Sequence, residues 1–278
     1  MPYTAEISRT NPSVFLFLID QSGSMSDPFG GPGGKRKADG LADVVNRLLQ
    51  NLVIKCAKSE GVRDYYYVGV IGYGAKVGPA WGGTLAGRDL VAISEIANLP
   101  VRVEERTRKM DDGAGGIVEQ KVKFPIWIDP VAHGGTPMVQ TLNAAQQIVQ
   151  AWVDQHPASF PPIVIHVTDG ESTDGDPVAA ADALKGLATL DGNALLFNIH
   201  VSSQKVTPLE FPSLADDMPD AYARKLFEMS SNLPEYMVAV AKEEGYQVDD
   251  QARGFVFNAD MVSLIRFLDI GTRPSNLR

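Results

Sequence analysis

Asp20, Ser22 and Ser24 place one acid and two hydroxyls at alternate positions of the segment Asp20-Gln21-Ser22-Gly23-Ser24. Alternate residues of an extended segment point to the same side. Three hard oxygen donors can therefore be turned toward one point, and such donors suit a magnesium-like cation better than zinc or copper. Two more oxygen-bearing residues stand far along the chain. Thr136 lies in His133-Gly134-Gly135-Thr136-Pro137-Met138, and Asp169 lies in Thr168-Asp169-Gly170.

These residues need elements to carry them. The apolar run 14–19, directly before Asp20, shows no alternation and reads as a parallel strand buried on both faces. Residues 26–34 are a Gly- and Pro-rich loop. Leu41, Val44, Val45, Leu48, Leu49, Leu52, Val53 and Cys56 then recur at helical spacing, with Gly61 as a stop. A second strand covers 65–73. Residues 75–132 are a long connection, with a short helix over 90–97 and an antiparallel hairpin. The arms of that hairpin, 101–109 and 117–128, flank Asp111-Asp112-Gly113-Ala114-Gly115-Gly116.

Past the Thr136 loop a helix runs to about 154, and Pro161-Pro162 introduces a strand over 163–168 that ends at Asp169. The pattern continues with a helix near 177–190, a strand at 194–201 and a Pro-rich irregular stretch at 204–220. Helices near 221–231 and 234–244, a strand at 254–258 and a helix at 260–269 complete it. The alternation predicts an α/β fold: a doubly wound, mostly parallel central sheet flanked by helices, with an inserted β-hairpin. Ligands bind such sheets at the carboxyl ends of the strands, where Asp20 and Asp169 both stand. Residues 1–12 read as an N-terminal extension, 13–270 as a single domain elaborated at 75–132 and 204–250, and 271–278 as a tail.

The chain has 278 residues, of which 44% are hydrophobic, enough for a sizeable core. Its formal net charge of -9 argues against nucleic-acid binding, which calls for a basic stripe. One cysteine, Cys56, excludes an intrachain disulfide and fits a reducing compartment. The run 14–19 is too short for a signal core or a membrane span, and Asn11-Pro12-Ser13 is disqualified as a glycosylation acceptor by its proline. The expected location is the cytoplasm.

Asp20-x-Ser22-x-Ser24, the Gly-Gly-Thr loop at Thr136 and the Thr-Asp-Gly at Asp169 together resemble the metal-ion-dependent adhesion site of von Willebrand factor A domains. The motifs occur in the family's order, and the resemblance spans roughly residues 13–270. It implies that Ser22 and Ser24 ligate the cation directly. Thr136 would ligate it directly or through water, and Asp20 and Asp169 mainly through water. Two carboxylates offset a divalent charge while neutral hydroxyls donate weakly, which leaves the ion electrophilic toward a partner's Asp or Glu. Mg²⁺ suits a site that keeps waters, and Mn²⁺ or Ca²⁺ could replace it. Taken one at a time, the same residues also suit helix caps and turns.

The resemblance implies a metal-dependent protein-interaction module rather than an enzyme. A phosphatase of the haloacid-dehalogenase type needs a second acid two residues after the first, and Ser22 stands there. Size and the near-stand-alone domain resemble most the bacterial TerY-like group, associated with a Ser/Thr kinase and a protein phosphatase in intracellular signalling or stress response. The alternative is an accessory subunit of a MoxR- or chelatase-type AAA+ ATPase. A Mg²⁺-dependent phosphoryl-transfer enzyme stands third.

Other residues draw plainer readings. Glu171, Asp174 and Asp176 read as a solvated acidic turn, with a second cation site as the competing view. Arg102, Arg106, Arg108, Lys109, Lys121 and Lys123 read as a charged strand face that blunts a sheet edge, or as a docking surface. His133 is placed to support the Thr136 loop. His166 and His200 read as satisfied core residues, and Cys56 as a structural thiol. Lys35 after the Gly-rich loop lacks the spacing of a phosphate-binding loop.

Overall fold

The computed structural model describes residues 2–29, 33–111, 117–203 and 207–272, with the backbone alone at 108–111 and 117–118. The hairpin tip at 112–116, part of the Gly-rich loop, and the tail from 273 onward lie outside the described residues. In chain order the main elements are β1 (Ser13–Asp20), α1 (Lys37–Cys56), β2 (Tyr66–Tyr73), β3 (Val77–Pro79), β4 (Val91–Ala92) and α2 (Ile93–Asn98). The hairpin β5 (Arg102–Asp111) and β6 (Ile117–Ile126) follows, then α3 (Met138–Gln155), β7 (Ile163–Thr168), α4 (Val178–Lys185) and β8 (Leu195–Val201). The chain continues through β9 (Leu209–Glu210), α5 (Ala221–Met229), α6 (Glu235–Glu243), β10 (Phe255–Ala259) and α7 (Met261–Gly271).

β1 is buried throughout because its side chains alternate between two cores. Phe15, Phe17 and Ile19 pack with Leu48, Leu49 and Leu52 of α1, Ile93 and Ile96 of α2, Met237 of α6, and Leu264 and Phe267 of α7. Val14, Leu16 and Leu18 pack on the other face with Leu142 and Val149 of α3, Leu184 of α4, and Leu226 and Phe227 of α5. Fully burying a side chain of this kind contributes about 2 kcal/mol. The unalternating run therefore marks a sheet covered on both faces, as expected.

The eight-stranded sheet runs β9-β10-β8-β7-β1-β2-β3, with β4 also against β2. β1 pairs in parallel with β2 on one side and β7 on the other, and β7, β8 and β10 continue in parallel. β3, β4 and β9 are short antiparallel additions. The order reverses between β1 and β7. That switch point opens a crevice at the strands' carboxyl ends, between Asp20 and Thr168.

The connection at 75–132 holds more strand than expected, since β3 and β4 both line β2. The hairpin is a two-stranded sheet of its own, so its charges blunt no edge of the main sheet. Among the described residues several of them form ion pairs within the hairpin and with its neighbours. Arg106 reaches Glu104 at 2.8 Å and Asp43 at 3.0 Å, and Lys121 reaches Glu105 at 2.7 Å. The second arm leaves the ladder at Ile126 rather than 128 because α1 takes over its backbone. Buried Asn46 accepts from the amides of Trp127 at 2.9 Å and Ile128 at 3.2 Å, and donates to the Ile128 carbonyl at 2.9 Å. The helix expected to reach 190 stops at Lys185, where Ala188-Thr189 turns to pair with Gly192-Asn193. Cys56 closes α1 fully buried, and burial pushes its thiol up to about 12. That makes it a packing group.

Candidate metal centre

Asp20 is the last residue of β1, and its Oδ1 accepts from the Ser22 amide at 2.8 Å. This is the turn an Asp favours by bonding its own backbone two residues on. Ser22 is extended (φ -65°, ψ 167°), after which Gly23–Ser26 tightens into a 3₁₀ turn. Strand alternation therefore ends at Ser22. The two successive turns bring the hydroxyls together, with Ser22 Oγ and Ser24 Oγ 2.9 Å apart. Ser24 Oγ in turn donates to Asp169 Oδ1 at 2.7 Å. Asp20 Oδ2 accepts from Thr168 Oγ1 at 2.9 Å, which links the ends of β1 and β7. Asp20 and Ser22 are buried, Ser24 is exposed, and the Asp169 side chain has no exposed surface.

The Thr136 loop is fastened on three sides. His133 donates its amide to the Gln21 carbonyl at 2.6 Å, and Gly23 donates to the Gly134 carbonyl at 2.9 Å. Ala75 donates to the His133 carbonyl at 2.9 Å. Gly134 sits at φ +98°, and a Cβ there would lie 2.3 Å from the Ala75 nitrogen, so only glycine fits. Thr136 donates its amide to Thr173 Oγ1 at 3.0 Å and accepts the Thr173 amide at 3.0 Å. Its buried hydroxyl faces Gly170, 4.0 Å from where a Cβ on that residue would stand. His133 thus supports the loop through its backbone, with its ring exposed. All five residues singled out from the sequence meet at one corner of the sheet.

Two carboxylates lie close together there, both withdrawn from solvent. Burial pushes Asp20 up to about 6, and hydrogen bonds from Ser22 and Thr168 oppose the shift while the Asp169 charge adds to it. Lys37, the first residue of α1, brings the nearest cation. Its side chain is 4% exposed, and Nζ lies 2.5 Å from Asp169 Oδ2 and 4.0 Å from Asp27 Oδ2. The Asp169 contact is a buried ion pair. His200 packs on Tyr222 and Phe257, and burial holds it down to about 4, as a neutral ring. Tyr222 donates its hydroxyl to the Gly170 carbonyl.

This chemistry fits a hard divalent cation. Buried carboxylates are costly without a counter-charge, and one ammonium answers only one of the two. Asp169 Oδ1 already meets the serine pair, whose hydroxyls can swing from each other to a metal. Among the described residues no three His, Cys, Asp or Glu come together as metal ligands, so the hydroxyls would have to serve.

The acidic loop after Asp169 is used otherwise. Asp174 accepts from the amides of Val139 at 3.0 Å and Gln140 at 2.9 Å, capping the start of α3. Asp176 accepts from the Val178 amide at 3.2 Å and pairs with Lys225 at 3.4 Å. Lys35 pairs with Asp43. Lys37, Thr168, Thr173 and Tyr222 were not foreseen as parts of the site. Thr168 alone carried a signal, since it opens the Thr-Asp-Gly motif beside Asp169.

No protein-family model and no curated protein matches this chain. Among solved structures it is similar to the PilB minor pilin from Streptococcus sanguinis, at 11% identity and TM-score 0.29, over 58% of this chain and 30% of that one. It is similar to the vWF domain of the type V pili tip protein Mfa5 from Porphyromonas gingivalis, at 16% identity and TM-score 0.30, over 58% and 39%. A third is the pilus adhesin RrgA from Streptococcus pneumoniae, at 13% identity and TM-score 0.29, over 61% and 22%. The chain spans well under half the length of these structures. Likeness this distant assigns no function, and the fold described above rests on the chain's own sheet order and packing.

Proposed function

We propose that this chain is a von Willebrand factor A-type interaction module. Ser22 and Ser24 would hold a Mg²⁺-type cation directly and Thr136 directly or through water, with Asp20 and Asp169 supporting it mainly through water. The hydrogen-bonded run from Ser22 through Ser24 to Asp169, at the switch point of the sheet beside Asp20, carries this reading. When bound, the cation supplies a Lewis-acidic position for an Asp or Glu of a protein partner. The chain's own residues orient that position: the Asp20 turn places Ser22, and the Thr136–Thr173 clamp fixes the third hydroxyl.

Binding is favoured over catalysis because Ser22, and not a second acid, follows Asp20, and because His200 is engaged in aromatic packing. The same reading takes 13–270 as one domain and places it in a bacterial intracellular signalling or stress-response complex. A Ser/Thr kinase and a protein phosphatase are the partners of first choice there. Among the described residues no helix is long and apolar enough to cross a membrane. A pull-down with and without chelator tests the reading. A partner retained by Mg²⁺ and released by chelator supports it, and retention indifferent to chelator overturns it.

A further inference from the structure

Lys37 is placed against two electrostatic preferences. It is the first residue of α1, where the helix dipole disfavours a cation, and its side chain is 4% exposed. What holds it there is Asp169, whose Oδ1 accepts from Ser24 while Oδ2 faces Lys37 Nζ at 2.5 Å. One carboxylate therefore bridges the hydroxyl pair and the ammonium.

The charges in this corner can be counted. Counted by formal charge, Asp20 and Asp169 bring two negatives and Lys37 one positive, a sum of minus one. Asp27, 4.0 Å from Nζ, has a side chain 58% exposed and is screened by solvent. Glu171 is likewise exposed. A divalent cation raises the sum to plus one, and one external carboxylate brings it to zero. Without Lys37 the loaded site would already be neutral, and an incoming carboxylate would make it negative.

We propose that Lys37 is the positioning residue that sets this site's demand for an external carboxylate: it weakens cation binding and strengthens capture of the partner's acid. The inference rests on the cation site proposed above and adds the division of charge within it.

The test uses the full chain with Mn²⁺ as cation and acetate as carboxylate. Water-proton relaxation reads both the binding of Mn²⁺ and the displacement of its water by acetate. Relative to the parent, Lys37→Met should bind Mn²⁺ about tenfold more tightly and the loaded site should bind acetate about tenfold more weakly. Lys37→Arg should stay near the parent in both. A merely structural role would weaken both affinities together, and that result overturns the inference, as do unchanged affinities. Lys37→Gln repeats the test should the methionine variant not fold. A parent that binds no Mn²⁺ removes the cation site itself. A parent that binds Mn²⁺ while its variants fail to shift in opposite directions removes only the role of Lys37.

Discussion

Thr168 Oγ1 donates to Asp20 Oδ2 at 2.9 Å, so the last residue of β7 holds the last residue of β1 across the crevice where the sheet reverses order. Both groups are buried. Thr168→Val keeps the shape and removes the donor, leaving a buried carboxylate oxygen unpaired. The expected loss is about 1–3 kcal/mol of stability, with weaker Mn²⁺ binding. Urea unfolding and a Mn²⁺ titration measure the two. A Thr168→Val chain as stable as the parent would show that the tie does not matter to the fold.

Asp20→Ala and Asp169→Ala each remove one of the two carboxylates at the corner. Either change should abolish binding of Mg²⁺ and Mn²⁺ in calorimetry while leaving the circular dichroism of the α/β fold in place. Heats equal to the parent's in both variants would contradict the proposed centre.

Asn46 is a buried polar residue of α1, and it serves the backbone of Trp127 and Ile128. Asn46→Leu strands two amides and a carbonyl in the core. It should cost about 3 kcal/mol or more and unlock the base of the hairpin. Hydrogen exchange at the Trp127 and Ile128 amides should accelerate well before exchange in β1. Protection equal in the two regions would show that the hairpin does not depend on this contact.

His166 is fully buried and pushed down to about 4 by desolvation. Its Nε2 accepts from the Tyr73 hydroxyl at 2.6 Å and its Nδ1 meets Asn198 Oδ1 at 2.8 Å, which suits the neutral ring with Nδ1 protonated. Below about 6.5 the unfolded chain takes up a proton that the folded chain refuses until about pH 4, so stability falls through that window. Half-buried His200, also held down to about 4, acts the same way. Asp20, raised to about 6, acts oppositely, because its contribution is full at low pH and is lost as pH rises through 6. His166→Gln should therefore flatten the fall in urea midpoint between pH 7 and pH 4.5. Parallel falls in parent and variant would refute the assignment.

The sheet and the meeting of the motif loops were legible because both depend on local pattern. An unalternating run such as 14–19 suits a strand with two cores, and an acid directly after such a strand stands at its end. The rest depends on which distant groups the fold brings together. Lys37 reads in sequence as an ordinary charge before a helix, and only the approach of α1 to the end of β7 makes it a partner of Asp169. Asp174 reads as one of three acids in a turn, but the amides it caps belong to α3. Asn46 carries no signal in sequence, because the backbone it serves lies 81 and 82 residues further on.

The alternation of β1 between two cores has a consequence for inheritance as well as for folding. One residue inserted between Ser13 and Ile19 would send the large side chains that follow it to the wrong helix layer and rotate Asp20 away from Thr168. The error that spoils the packing is the same error that spoils the carboxylate's aim. A lineage carrying such a frameshifted strand could not keep a sound fold with a dead site. Loss of aim and loss of stability would be removed together, and the corner is guarded by the core beneath it.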